Sequence, residues 1–110
     1  MVNSVNSLWK EKNAAQLVRA LVAIDDTKVM QNFLRDVLTE KEIIEISARL
    51  EAARMLRNGK TYTEIIEKTK LSSRTVARIK GWMQNGTGGY ATILENLDTH
   101  TSHIPPARAE

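Results

Sequence analysis

The sequence predicts an all-α protein of about six helices, with a helix-turn-helix in its C-terminal half. Apolar residues recur every three or four positions over most of the chain, which is the spacing that gives a helix one apolar face. Most glycine and proline residues lie at the joints between these segments. Residues 61–83, TYTEIIEKTKLSSRTVARIKGWM, then combine two short helical patterns separated by a brief break.

Length and composition predict one small domain. The chain has 110 residues, 42% of them hydrophobic and five of them aromatic, so its core is small and help from a second copy is favoured. It has no cysteine, which excludes disulfides and thiolate metal sites. The first residues lack the apolar run of a signal peptide, and no segment approaches 18 apolar residues. We therefore expect a soluble, cytoplasmic protein without a membrane partner, with one domain over residues 1–97 and a disordered tail over residues 98–110.

The N-terminal third predicts two amphipathic helices. The first covers residues 7–24, and Asp25 and Asp26 start the second, because carboxylates favour helix N-termini. The first helix carries too much apolar surface for an independent appendage, so it packs either on its own chain or on a second copy. We favour the second copy, which predicts a homodimer. The apolar positions are Leu17, Val18, Leu21 and Ile24, then Val29, Met30, Phe33, Leu34 and Val37.

A capping box formed by Thr39 and Glu42 predicts the start of a long central helix that Gly59 closes. Apolar residues lie on two sides of this helix rather than one. We therefore expect it to be covered on both sides, at the centre of the fold. One side carries Ile43, Ile46, Leu50 and Ala53, and the other carries Ile44, Ala48, Ala52 and Met55.

The helix-turn-helix prediction depends on caps and on apolar spacing. Thr61 and Glu64 form a second capping box, and Ser72 is placed to cap the second helix of the unit. Lys70 occupies a turn position that usually carries glycine, where a positive φ would cost on the order of 1 kcal/mol. An ordinary helical hairpin within a core is the alternative interpretation. The residues that would pack the two helices together are Ile65, Ile66, Leu71, Val76 and Ile79.

A last short helix is predicted after the glycine-rich turn at residues 85–89. Beyond it, His100 and His103 lie three positions apart, but without carboxylate or cysteine support a solvated tail explains them better than a metal site. No Ser–His–acid set, phosphate-binding glycine loop or nucleophilic cysteine occurs, so we predict that the protein is not an enzyme and has no metal site. The apolar residues of this helix are Tyr90, Ile93, Leu94 and Leu97.

The second helix of the unit presents small polar and guanidinium side chains opposite its apolar face, as a helix in the major groove of DNA must. Residues 49–80 hold nine basic and three acidic residues, a net charge of +6, whereas the whole chain carries +3. A solvated basic face would look similar. We expect Arg74 and Arg78 to read guanine edges. Ser73, Thr75 and Ala77 are expected at base edges, the thymine methyl group or a nearby phosphate, and Thr61, Thr63, Lys68 and Lys80 on phosphates. Ser72, the cap of this helix, is a further expected DNA contact.

These residues resemble the Trp repressor superfamily, in its YerC/YecD branch. The resemblance covers residues 33–90 and is carried by RLEAARMLRNGKTY at residues 49–62 and TVARIK at residues 75–80, with Leu38-Thr39, Gly86 and Gly89-Tyr90 as further matches. It implies an intertwined homodimer in which the N-terminal helices interlock. The helix-turn-helix units would be its DNA-reading parts. It also implies a repressor-like transcriptional regulator that binds double-stranded DNA, with two-fold symmetry favouring a palindromic operator.

The resemblance also marks a ligand position. The Trp repressor clamps tryptophan between two arginines, and Arg49 and Arg78 stand at the matching places, while Thr39 matches a residue that helps to hold the ligand. A tryptophan-like corepressor would bind at these three residues. However, Ile79 and Lys80 are bulkier than the residues that follow the second arginine in the repressor, so an indole would be crowded. We therefore expect no cofactor.

Two other functions stay open from the sequence. One is a small-molecule sensor in which an indole or amino-acid ligand changes the orientation of the helix-turn-helix units. The other is a helical adaptor whose helix-turn-helix binds protein rather than DNA. Salt-sensitive DNA binding separates the regulator from the adaptor, because a protein adaptor should show none.

Overall fold

The structure is a computed structural model that describes the backbone of residues 4–103 and the side chains of residues 7–98. The described backbone contains seven α-helices and no strand, which confirms the predicted all-α class. The number exceeds the predicted six because the Glu11 carboxylate accepts the Ala14 N–H at 2.8 Å and starts a new helix inside the N-terminal segment. The helices are α1 (Ser4–Lys10), α2 (Lys12–Ala23), α3 (Thr27–Val37), α4 (Glu40–Arg57), α5 (Tyr62–Thr69), α6 (Ser73–Asn85) and α7 (Gly89–His103).

The chain divides into two compact units, Met1–Ile43 and Ile44–Glu110. In the first unit, α1 and α2 contact each other, and Asp26 caps α3 as predicted by accepting the Val29 N–H at 2.9 Å. None of the described side chains of this unit is buried. Its apolar stripes are therefore only partly covered in the single chain, since Leu21, Ile24, Met30, Phe33 and Leu34 are half-buried. The exposed large apolar residues of this unit are Leu8, Trp9, Leu17, Val18, Val22, Val29 and Val37.

The predicted capping box begins α4. The Glu42 N–H donates to Thr39 Oγ1 at 3.0 Å, and the Thr39 N–H donates to Glu42 Oε1 at 2.9 Å. The helix ends at Arg57, after which Gly59 adopts a φ of 80° and the Lys60 N–H donates to the Met55 carbonyl at 3.0 Å. This left-handed turn satisfies a carbonyl that the helix leaves open at its end.

Burial along α4 differs from the predicted two-sided pattern. Ala52 and Ala53, one on each predicted side, are both fully buried, so the second half of the helix is covered as expected. Ile44 and Ile46 are instead 65% and 53% exposed. The expected cover along the whole helix is therefore not found for its first half in the single chain, because no element of the described chain buries Ile44 or Ile46.

The core of the second unit joins α4, α5, α6 and α7. Ile65, Val76 and Ile79 are fully buried, as their spacing predicts. Burying one such isoleucine side chain contributes about 1.5–3 kcal/mol relative to exposure. An ion pair between Arg57 Nη1 and Asp98 Oδ2, at 3.3 Å, also links α4 to α7. The buried residues are Ala52, Ala53, Met55, Ile65, Val76, Ile79 and Leu94.

The last helix continues past its predicted end at residue 97, since α7 runs to His103. The side chains of His100 and His103 and the remaining tail at residues 104–110 lie outside the described residues. Across the described helices, none is long and apolar enough to cross a membrane.

Candidate nucleic-acid interface

The first helix of the predicted helix-turn-helix is fixed at its start by the Thr61–Glu64 capping box. The Glu64 N–H donates to Thr61 Oγ1 at 3.2 Å, and the Thr61 N–H donates to Glu64 Oε1 at 2.9 Å. The hydrogen bond from the Thr61 backbone is the main cause that lowers the pKa of Glu64, followed by the bond from the Thr61 hydroxyl. The Thr61 side chain is therefore engaged in the cap, while Thr63 is exposed in the first turn.

The turn between the two helices holds its backbone in one conformation. Lys70 has φ 64° and ψ 14°, the left-handed region, and among the described residues it is the sole non-glycine with a positive φ. Its N–H donates to the Ile66 carbonyl at 2.8 Å, which closes α5. Thr69 Oγ1 donates to the Ile65 carbonyl at 2.7 Å and accepts the Leu71 N–H at 3.3 Å. These bonds set the direction in which the chain enters α6.

The second helix, α6, begins at the predicted cap. Ser72 Oγ accepts the Thr75 N–H at 3.1 Å and lies 3.1 Å from Thr75 Oγ1. Val76 and Ile79 are fully buried, which fixes the rotation of the helix about its axis. The opposite side is therefore exposed to solvent, and it carries Ser73, Arg74, Ala77, Arg78 and Lys80. Thr75 is half-buried.

Two lysines near the turn have charge or ring partners that the two arginines of α6 lack in the part of the chain that the structure describes. Within the described part of the chain, neither Arg74 nor Arg78 forms an ion pair. Lys68 Nζ instead lies 3.6 Å from Glu51 Oε2 on α4, and Lys80 Nζ lies 5.9 Å from the ring centroid of Tyr62 on α5. The guanidinium groups of Arg74 and Arg78 are therefore available for bidentate hydrogen bonds to an external acceptor.

Glu51, which the sequence does not single out, lies between two basic side chains. It accepts two hydrogen bonds from Arg54, at 2.9 and 2.8 Å, as well as facing Lys68. The hydrogen bond from Arg54 is the main cause that lowers the pKa of Glu51, and the same bond raises the pKa of Arg54. The signal for the Arg54 pair was its spacing of three on one helix, whereas the contact with Lys68 arises only when α4 and α5 pack.

The residues matched to a corepressor site have other partners. Arg49 Nη2 lies 3.2 Å from Glu45 Oε2, one turn earlier on α4, so the two side chains form an ion pair within the helix. Thr39 serves the capping box of α4. Ile79, expected to crowd an indole, lies in the core. Arg49 Nε, however, is shielded from solvent and has no hydrogen-bond partner among the described atoms.

Known proteins share this architecture. The Trp repressor protein family matches residues 12–98. The uncharacterized protein YerC of Bacillus subtilis (strain 168) is 34% identical over 86 residues, covering 78% of this chain and 83% of YerC. A TrpR-like protein from Eubacterium eligens ATCC 27750 is similar in structure, with a TM-score of 0.77 and 36% identity over 82% of this chain and 93% of that one.

A second solved structure is also similar to this chain. A candidate Trp repressor from Staphylococcus aureus gives a TM-score of 0.71 and 30% identity, covering 76% of this chain and 84% of that chain. The matched region includes α2 through α6, so it spans the complete helix-turn-helix as well as the helices before it. The chain therefore belongs to the Trp repressor protein family, in the branch that includes YerC.

Proposed function

We propose that this protein is a sequence-specific, DNA-binding transcriptional regulator that acts as a repressor-like homodimer and catalyses no reaction. The observation that carries the proposal is the exposed side of α6. There, Arg74 and Arg78 lie opposite the buried Val76 and Ile79 and have no ion pair within the described residues. A helix held by a rear apolar face and presenting guanidinium groups in front is suited to the major groove.

The side chains of α6 and its neighbours divide into two roles. Arg74 and Arg78 read guanine O6 and N7, which two guanidinium N–H groups can contact together. Ser73, Thr75 and Ala77 lie against base edges, the thymine methyl group or a nearby phosphate. Phosphate contacts set the register without reading sequence, and these come from Thr61, Thr63, Lys68, Ser72 and Lys80.

A homodimer is supported by the exposed apolar stripes of the first unit and by the exposed first half of α4. Val22 is 79% exposed and Ile44 is 65% exposed in the single chain, and a second copy would remove this apolar surface from water. A two-fold dimer that presents its two α6 helices about 34 Å apart would match successive major grooves, one turn of DNA. The expected operator is therefore palindromic.

Selection of bound sequences from a pool of random duplexes tests this function. The expected result is a palindromic consensus whose half-sites lie one helical turn apart, with affinity that falls as salt rises. The Arg74→Ala/Arg78→Ala double variant should give no consensus from the same pool while unfolding at a similar denaturant concentration. Recovery of random sequences by the wild type, or binding that salt does not weaken, would favour the protein adaptor instead.

One observation favours a ligand-responsive form of the same regulator. Arg49 Nε is shielded from solvent without a hydrogen-bond partner in the described structure, and an unsatisfied buried donor is costly unless something supplies an acceptor. A carboxylate corepressor bound at Arg49 would do so. Isothermal calorimetry with tryptophan and indole carboxylates tests this candidate, and absence of heat at millimolar ligand rejects it.

A further inference from the structure

We propose that a cationic pocket beside the helix-turn-helix binds a phosphate ester, with one backbone phosphate of the duplex and its deoxyribose as the occupant. The pocket has a volume of about 360 Å³ and opens between the end of α4, the start of α5 and the second half of α6. This inference rests on the proposed function, because it supplies a further contact to the same duplex. The lining residues that carry it are Leu56, Lys60, Tyr62, Lys80, Met83 and Gln84.

The charge of this pocket selects an anion. Lys60 and Lys80 line it, and none of the described lining residues is acidic. Neither lysine forms an ion pair within the described part of the chain. The acid nearest to Lys60 in the sequence is Glu64, whose carboxylate accepts the N–H of Thr61 in the capping box. Two lysines therefore line one opening whose wall contains no carboxylate among the described residues, although Lys60 is close enough to Glu64 to add to the lowering of its pKa by the Thr61 hydrogen bonds.

Polar and apolar parts of the wall match the two ends of a nucleotide. Tyr62 and Gln84 line the opening, and a phenol hydroxyl and a side-chain amide can each donate to a phosphate oxygen. Leu56 and Met83 are half-buried and pack against the core, which gives the opening an apolar floor. The pocket is near the lower end of the roughly 300–1,000 Å³ range for ligand sites, a size that suits a single sugar and phosphate.

The walls are held in place before any ligand arrives. The Lys60 N–H donates to the Met55 carbonyl at 3.0 Å, and Gly59 takes the left-handed conformation that this turn needs. Tyr62 is the first residue of α5, directly after the capping box. Lys80 Nζ lies 5.9 Å from the Tyr62 ring centroid, which links α6 to α5 across the opening. The backbone around the pocket is therefore fixed before binding, and the conformational cost that remains is the ordering of exposed side chains such as Lys60 and Gln84.

The pocket lies on the same stripe of α6 as two proposed base contacts. Ser73, Ala77, Lys80 and Gln84 are spaced by four, three and four residues, so they follow one another along one side of the helix. A duplex that contacts Ser73 and Ala77 would continue along this stripe toward the pocket. This continuity favours a backbone phosphate of the same duplex over an unrelated anion.

Titration of a labelled random-sequence duplex over a series of salt concentrations tests the pocket. The variants are Lys60→Ala, which removes one ammonium, and Tyr62→Phe, which keeps the ring and removes the hydroxyl. Lys28→Ala on α3 is the control with the same loss of charge. Lys60→Ala should lower the salt slope by about 0.9 and weaken binding about eightfold at 0.1 M salt, because one fewer counterion is released. Tyr62→Phe should weaken binding a few-fold with the slope unchanged, and Lys28→Ala should change neither.

A second arm distinguishes the duplex from a free phosphate ester. Adenosine monophosphate is titrated into the labelled wild type and Lys60→Ala proteins, and the backbone NMR shifts of Tyr62 and Gln84 are followed. Shifts that Lys60→Ala abolishes, combined with an unchanged duplex slope, would assign the site to a free phosphate ester. An unchanged slope together with no nucleotide-induced shift would overturn the pocket while the wild type still bound DNA. A wild type that binds no duplex at all would overturn the proposed function, and the nucleotide arm would then decide the pocket alone.

Discussion

Lys68 Nζ lies 3.6 Å from Glu51 Oε2, so a lysine proposed to hold DNA phosphate is paired with a carboxylate of α4. A phosphate that approaches Lys68 must compete with this carboxylate. Glu51→Gln should therefore strengthen binding to any duplex several-fold and steepen the salt slope by up to about one, because Lys68 gains a counterion that DNA can displace. Fluorescence anisotropy with a random duplex measures both quantities.

The matched control is Glu45→Gln, which removes the same charge from α4 but faces Arg49 at 3.2 Å instead of Lys68. This control should change the slope less than Glu51→Gln does. Equal effects of the two variants would mean that overall charge, rather than the release of Lys68, sets the affinity. Stability should change little in either case, since exposed ion pairs contribute only about 0–1 kcal/mol.

The free energy of unfolding should fall as the pH is lowered, because Glu51 and Glu64 become protonated. The pKa of each is lowered in the folded protein from an ordinary value of 4.5. A depressed folded pKa stabilises the native state above the unfolded pKa, and that contribution is lost as the pH falls through the folded value. Urea unfolding from pH 7 to pH 3 should therefore show a loss that begins near pH 4.5.

The Glu51→Gln/Glu64→Gln double variant should lose less stability over this acid range than the wild type. Glutamine does not titrate, and at position 64 it can still accept the hydrogen bond of a capping box. Parallel curves for the two proteins would contradict the assignment of the acid loss to these carboxylates. Both proteins are compared at one concentration, because the stability of a dimer depends on it.

The left-handed Lys70 predicts a stabilising substitution. Its φ of 64° is unfavourable for a side chain with a Cβ, and glycine adopts it without that cost. Lys70→Gly should raise the free energy of unfolding by about 1 kcal/mol. Lys68→Gly makes the same chemical change two residues earlier, inside α5, where glycine should lower it by about 1 kcal/mol. Urea unfolding measures the change in the free energy of unfolding for each variant, which should be positive for Lys70→Gly and negative for Lys68→Gly. Destabilisation by Lys70→Gly would show that the lysine side chain offsets the backbone strain.

Local signals predicted the parts of this structure that depend on neighbouring residues. The caps at Thr39, Thr61 and Ser72 each involve a backbone N–H only three residues away. The spacing of Val76 and Ile79 likewise fixed the exposed side of α6, because a helix repeats every 3.6 residues. These features required no knowledge of the rest of the fold.

Features that depend on distant packing could not be predicted in the same way. Glu51 and Lys68 are far apart in sequence, and nothing local indicates that α4 and α5 bring them together. The exposure of Ile44, whose spacing predicts cover, is likewise not readable from the local pattern, because burial depends on which elements pack against that side of α4. The sequence does not predict that a new helix starts after Glu11, because glutamate is a less usual cap than serine, threonine, aspartate or asparagine.

Arg78 and Lys80 should respond differently to alanine. Arg78→Ala removes a proposed bidentate contact to guanine, so it should cost about 1–3 kcal/mol at the selected site and relax sequence preference there. Lys80→Ala should weaken selected and random duplexes alike and reduce the salt slope by about one. Titration of each variant with both duplexes separates the two effects. Equal losses on the two duplexes from Arg78→Ala would remove Arg78 from the reading role.

The exposed stripe of α2 predicts how the homodimer can be broken. Val22 is 79% exposed in the single chain, and a second copy that covers it would bury any charge placed there. Val22→Asp should therefore raise the dimer dissociation constant at least about tenfold, or about 1.4 kcal/mol. Gln16→Asp adds the same charge to another exposed position of α2 and should leave the dimer intact. Sedimentation velocity over a range of concentrations measures assembly, and circular dichroism reports whether the separated chains stay folded. A wild type that sediments as a monomer, or a Val22→Asp variant that dimerises like Gln16→Asp, would remove α2 from the subunit interface.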